Sequence, residues 1–251
     1  MRRFLAFALF GVLLAAFSAW PAAASHSWGN YHWPRGSNPF TVNLGGNLSG
    51  GWPSILGSNT TQGTVAYDWT QSSVLDIPVV GGANVSNPKR CKPVAGRVEV
   101  CNASYGFNGW LGIAQIWVSG GHITQGVVKV NDSYFNTSTY NKPNAKRHVL
   151  CQEVGHTLGL DHQRSTTSQS CMDDQNGLFE SAFASPNQHD YDQLATIYAH
   201  LDALTSSSTA PAFHGNGKVK ETLYVEDLGN GRAKFTWVFW VDPGAAHGPP
   251  F

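Results

Sequence analysis

The sequence predicts an α+β domain in which strands come first and the long helices follow. Three observations carry that expectation. β-branched and aromatic runs, cut by Gly and Asn turns, fill much of residues 39–132. Apolar residues then recur at helical spacing over 143–159 and again over 187–204. Strand and helix patterns do not alternate along the chain, which argues against a βαβ repeat.

After an irregular lead-in, SHSWGNYHWPRGS (25–37), the segment PFTVNLG (39–45) alternates and reads as a first strand. In TTQGTVAYDWT (60–70), Val65, Ala66 and Trp69 lie at helical spacing and predict a first helix. SVLDIPVV (73–80) is a strand broken by Pro78, which cannot donate to a ladder. RVEVC (97–101), WLGIAQIWV (110–118) and GVVKVND (126–132) are stronger strands. NKPNAKRHVLCQEVGHTLG (141–159) offers Asn141 or Asn144 as N-cap, Pro143 in the first turn and Gly159 for a left-handed end. Val149, Leu150, Val154 and Leu158 give it one buried flank. The last helix, NQHDYDQLATIYAHLDAL (187–204), repeats Tyr191, Leu194, Ile197 and Leu201 at three- and four-residue steps. A polar linker, TSSSTAPA, then leads to KETLYVEDLGNGRAKFTWVFWV (220–241), two strands around Gly229-Asn230-Gly231 that read as a hairpin with an aromatic face.

Residues 1–24 are set apart from the fold. Arg2 and Arg3, an apolar run from Phe4 to Trp20, and Ala22 and Ala24 in an A-x-A pattern match a secretory signal peptide. The run is slightly short for a membrane span, and small residues follow it where basic ones would stop transfer. The chain is therefore expected to be secreted and extracellular, with no membrane contact after cleavage. Removing the leader from 251 residues leaves enough for one domain, here 25–205, plus a linker and hairpin tail over 206–251. Without Arg2 and Arg3, 14 basic side chains face 16 acidic ones, and no basic run stands out, so nucleic acid is not an expected partner. Four cysteines in an exported chain point to disulfides, for which three pairings exist. Cys91–Cys101 is favoured because the intervening segment can close onto a strand, which leaves Cys151 and Cys171 to bracket residues 152–170.

The chemistry concentrates in CQEVGHTLGLDH, residues 151–162. Positions four apart share a helix face with Cβ atoms about 5–6 Å apart, so Gln152 and His156 can point at one ion. Glu153 is turned about 100° from Gln152, within reach of a water at that ion without being a ligand. Gly159 lets the chain leave the helix so that His162 can approach the same point. Three ligands, an open position and a nearby carboxylate are what a hydrolytic zinc site needs. No G-x-S-x-G elbow and no phosphate loop offers a competing chemistry.

This segment resembles the metzincin signature, HExxHxxGxxH followed by a methionine turn, here QEVGHTLGLDH with Met172 beyond it. The order of elements looks most like the matrixin branch. The resemblance implies a twisted mixed sheet over two long helices, with an active-site cleft between upper and lower subdomains. It implies zinc as cofactor, Gln152, His156 and His162 as its ligands, and Glu153 as general base for a metal-bound water that hydrolyses a peptide or protein substrate. WLGIAQIWV would be the exposed rim strand that binds peptide by strand addition. A Cys151–Cys171 bridge would tie the helix to the turn at Met172.

Gln152 departs from the signature, which has histidine there. In one reading its amide oxygen completes the set as a weaker ligand. Otherwise another group fills the gap, or no metal binds. His148 shares the helical face but lies about 12 Å along the axis from His156, so His26 or His32 from the lead-in is the remaining candidate. His122, His189 and His200 read as surface or hydrogen-bonding residues. The reading that follows is a secreted, monomeric zinc endopeptidase without room for a long inhibitory pro-segment. The alternative is a non-catalytic pseudopeptidase acting as an extracellular binding protein.

Overall fold

The computed structural model describes residues 26–29, 31–164, 169–202 and 222–242, and the backbone of 217–220. The expected signal peptide and most of the linker lie outside the described residues. No helix among the described residues is long and apolar enough to cross a membrane.

The fold is α+β, with most strands in one mixed sheet. Short strands β1 (Phe40–Thr41) and β2 (Leu44–Asn47) precede α1 (Trp52–Leu56) and α2 (Val65–Thr70). Pro78 separates β3 (Leu75–Asp76) from β4 (Val79–Gly81), as its missing N–H requires. Next come β5 (Val98–Ala103), β6 (Trp110–Ser119), β7 (His122–Asn131) and the short α3 (Asp132–Phe135). The long helix α4 (Pro143–Thr157) and α5 (Gln188–Ile197) follow. Strands β8 (Gly217–Lys220), β9 (Leu223–Gly229) and β10 (Arg232–Trp240) end the described chain.

The main sheet runs β4-β2-β5-β7-β6-β10-β9-β8. Its first four strands are parallel neighbours, and every pairing from β7 onward is antiparallel. WLGIAQIWV is therefore not the rim that the resemblance implied. β10 pairs with it antiparallel from Arg232 opposite Ser119 to Trp240 opposite Trp110. The aromatic face of β10 explains this placement: Phe235, Trp237, Val238, Phe239 and Trp240 are all buried. Left in solvent, each would forgo about 1.5–3 kcal/mol of burial.

Helix α4 lies under the sheet and is buried almost throughout from Ala145 to Thr157. Lys142 is its N-cap, with Pro143 in the first turn and no side-chain cap. Neither expected asparagine caps it. Asn144 donates to the Phe179 carbonyl, and Asn141 accepts from the Lys146 ammonium. Helix α5 opens on a full capping box, Asn187 with Asp190. It ends sooner than its periodicity suggests, at Ile197, and Leu201 is exposed. Tyr198 turns inward to donate to the Leu158 carbonyl, which redirects the chain after it. Two disulfides, Cys91–Cys101 and Cys151–Cys171, each with Cα atoms 5.9 Å apart, tie the segment before β5 to that strand and the interior of α4 to the Met172 turn.

His148 is fully buried on α4, with Nε2 donating to the Asp173 carbonyl at 2.9 Å. Burial pushes its pKa from 6.5 down to about 4. The unfolded chain takes up a proton in that window that the folded chain refuses, so stability falls as pH drops from 6.5 towards 4. This single group accounts for about 2–3 kcal/mol of acid destabilisation near pH 4.5. His148→Gln keeps the donor and cannot titrate, so urea unfolding at about pH 4.5 and 7.5 should show that share of the acid loss removed.

Candidate metal centre

The site is built by α4 and the turn that follows it. Gly159 adopts φ +101, and a Cβ there would meet the Tyr31 carbonyl oxygen at 2.6 Å. Only glycine lets the chain reverse at this point, and the reversal brings His162 back beneath His156. The Nε2 atoms of the two histidines are 3.0 Å apart. Nδ1 of His156 lies 2.9 Å from the Leu160 carbonyl, which can only accept. Nδ1 of His162 faces Thr222 Oγ1 at 3.2 Å and an Asp174 oxygen at 3.6 Å. The Leu160 carbonyl places the proton of a neutral His156 on Nδ1, and with the same tautomer at His162 two Nε2 lone pairs face each other. In that tautomer the contact is repulsive unless a metal ion or a proton lies between them. Tetrahedral zinc with bonds of about 2.0–2.1 Å separates its ligands by about 3.3 Å, close to the spacing found.

Gln152 is buried on the same helix, and among the described residues neither atom of its amide has a hydrogen-bond partner. A buried unpaired polar group costs about 1–3 kcal/mol, a cost that any bound partner for the amide would offset. Met172 packs against α4 beside His156: a Cβ on Gly155 would stand 2.5 Å from its sulfur. Gln152, His156 and His162 thus offer donors that suit zinc, with Met172 as the floor. Burial and the neighbouring His162 push the His156 pKa down to about 3, which keeps this imidazole in its ligating form.

Glu153 is buried in the gap left by Gly112 of β6, where a Cβ would come 2.6 Å from a carboxyl oxygen. Burial first, and then the charge of Asp174, raise its pKa well above the ordinary value. The carboxyl lies near the backbone amides of Phe239 and Ala114, yet neither oxygen makes a hydrogen bond of ordinary geometry. Asp174 itself is buried, which works against its charge. His162 and the two 2.7 Å bonds from Arg164 outweigh that and hold its pKa low.

The site is roofed by β10. The Trp237 ring stacks on His156 with centroids 5.1 Å apart and planes 11° from parallel. Thr222, just before β9, reaches His162 from the same segment. The lead-in histidines do not approach. His26 lies 3.1 Å from Asp190, and His32 lies 3.2 Å from Asp202, both away from Gln152. His122 and His200 join His32 at Asp202, and the sequence reading missed this cluster; a lone histidine in each of three distant segments gave no spacing to notice.

No protein-family match and no match among curated proteins is found for this chain. Among solved structures it is similar to archaemetzincin from Archaeoglobus fulgidus, crystallised with malonate. That likeness has 14% sequence identity and a TM-score of 0.34, and covers 61% of this chain and 99% of the other.

Proposed function

We propose that this chain is a secreted zinc-dependent endopeptidase whose substrate groove is closed by its own C-terminal strand. The observation that carries the reading is the pair of converging Nε2 atoms of His156 and His162, each fixed by a partner at Nδ1. Gln152, His156 and His162 would hold the zinc, which as a Lewis acid would polarise a peptide carbonyl and lower the pKa of water. Glu153 is the base on the same helix. It takes the proton from the attacking water and returns it to the leaving amine. Gly112 leaves the space in which its carboxyl sits.

In the closed form Glu153 is buried, and burial raises its pKa and so disfavours the carboxylate that a base needs. Movement of β10 would admit water, restore the carboxylate and free β6. An extended peptide could then pair with β6 antiparallel, in the register β10 now holds. The test is cleavage of a mixed peptide pool by zinc-loaded protein in which β10 has been loosened. No cleavage by such a folded, zinc-loaded protein would sink the reading.

Gln152→His supplies a stronger donor at a position already aimed inward. We expect zinc affinity of this centre to rise by about 10–100-fold, read by competition with a chromophoric chelator. Unchanged affinity would show that residue 152 does not face the ion.

A further inference from the structure

A second histidine cluster lies apart from the helix α4 centre, and its geometry is that of a closed metal site. We propose that His32, His122, His200 and Asp202 hold a structural zinc ion that fastens the N-terminal segment to the β6–β7 turn and to the chain after α5. The proposal concerns other residues and does not rest on the peptidase reading.

Three Nε2 atoms converge on one carboxylate oxygen. Asp202 Oδ1 lies 3.2 Å from His32 Nε2, 3.2 Å from His122 Nε2 and 3.6 Å from His200 Nε2. The Nε2 atoms of His32 and His200 are 3.3 Å apart. These separations match the roughly 3.3 Å edges of a tetrahedron around zinc. Hydrogen bonds alone do not account for them. A neutral imidazole carries one N–H. If His32 Nε2 donates to Asp202, it has no lone pair left for His200 and no second proton to offer it. His122 Nε2 is buried and makes no hydrogen bond of ordinary geometry despite its closeness to the carboxylate. One cation at the centre satisfies all four atoms at once.

The carboxylate is held for this task. Its other oxygen, Oδ2, accepts from the Arg35 backbone amide and from Nη1, both at 3.0 Å. The Arg35 guanidinium is buried over the Tyr198 ring, 4.9 Å from its centroid, so Oδ1 is kept turned towards the histidines. A carboxylate fixed by an outer partner is the usual support of a metal ligand. Three imidazoles with one carboxylate oxygen favour zinc over calcium or magnesium, which take oxygen ligands. Four protein ligands leave no open position, so the role is structural. The ion would reinforce joints already present: an isolated bridge between His32 and His122, the Ile123 N–H donating to the His32 carbonyl at 2.7 Å, and the Asp202 N–H donating to the Arg35 carbonyl at 3.1 Å.

The experiment is an anomalous-scattering map at the zinc absorption edge, on crystals of the full chain grown with zinc chloride. A peak enclosed by His32, His122, His200 and Asp202 is expected. A peak at His156 and His162 with none at this cluster overturns the proposal and leaves the peptidase reading standing; the reverse pattern does the opposite. In solution, His200→Asn changes a half-exposed side chain and should survive folding. It is expected to weaken zinc binding at this site at least about 10-fold and to lower the melting temperature gained on adding zinc. Asp202→Asn should do the same. Unchanged zinc content and unchanged melting gain in both variants overturn the proposal.

Discussion

Trp237→Ala, in the full-length zinc-loaded chain, is expected to raise kcat/KM on a quenched peptide by about 100-fold. Trp237 is buried and stacked on His156, so its loss opens a hole directly above the centre. Truncating a buried Trp costs about 3–5 kcal/mol. Much of that cost is expected to fall on the closed arrangement, because the ring stacks on His156 across the joint that opening would break. About 3 kcal/mol taken from closure multiplies a rare open population roughly 100-fold, at 1.4 kcal/mol per tenfold step. Near-ultraviolet circular dichroism checks that the rest of the domain is intact. A folded Trp237→Ala protein with unaltered turnover would show that β10 is an ordinary structural strand and no gate.

Glu153→Gln in that opened background is expected to remove about 100- to 10,000-fold of the gained activity. The glutamine fits the space beside Gly112 but cannot take a proton from water. Zinc content should stay the same, because Glu153 is not among the three donors. A KM close to the parent value with kcat collapsed is the expected split. Equal loss of zinc and activity would instead assign Glu153 a role in building the centre.

Much of this centre could be read from the sequence because its geometry is local. Gln152, Glu153 and His156 sit within two turns of one helix, and Gly159 signalled the reversal that brings His162 home. The strands β5, β6 and β7 were legible for the same reason, each carrying a dense run of apolar residues between turns. Two things were not legible. The burial of β10 on both faces erased the alternation that would have shown its register, so nothing in FTWVFW pointed to β6 as its partner. The Asp202 cluster joins His32 to residues some 90 and 170 positions away, and only the fold makes them neighbours. The end of α5 was misjudged because the pattern at Leu201 continues a helix that Tyr198 abandons.

The long antiparallel partnership of β6 and β10 also bears on solubility. A molecule that releases β10 displays one edge of a ten-residue strand, with the N–H and C=O of about every second residue unpaired beside Trp110, Leu111 and Ile113. Such a ribbon invites a neighbouring copy as readily as any peptide. Concentrated, loosened protein should therefore cloud or form larger species unless peptide is supplied, so the strand that covers β6 also shields the chain from its own kind.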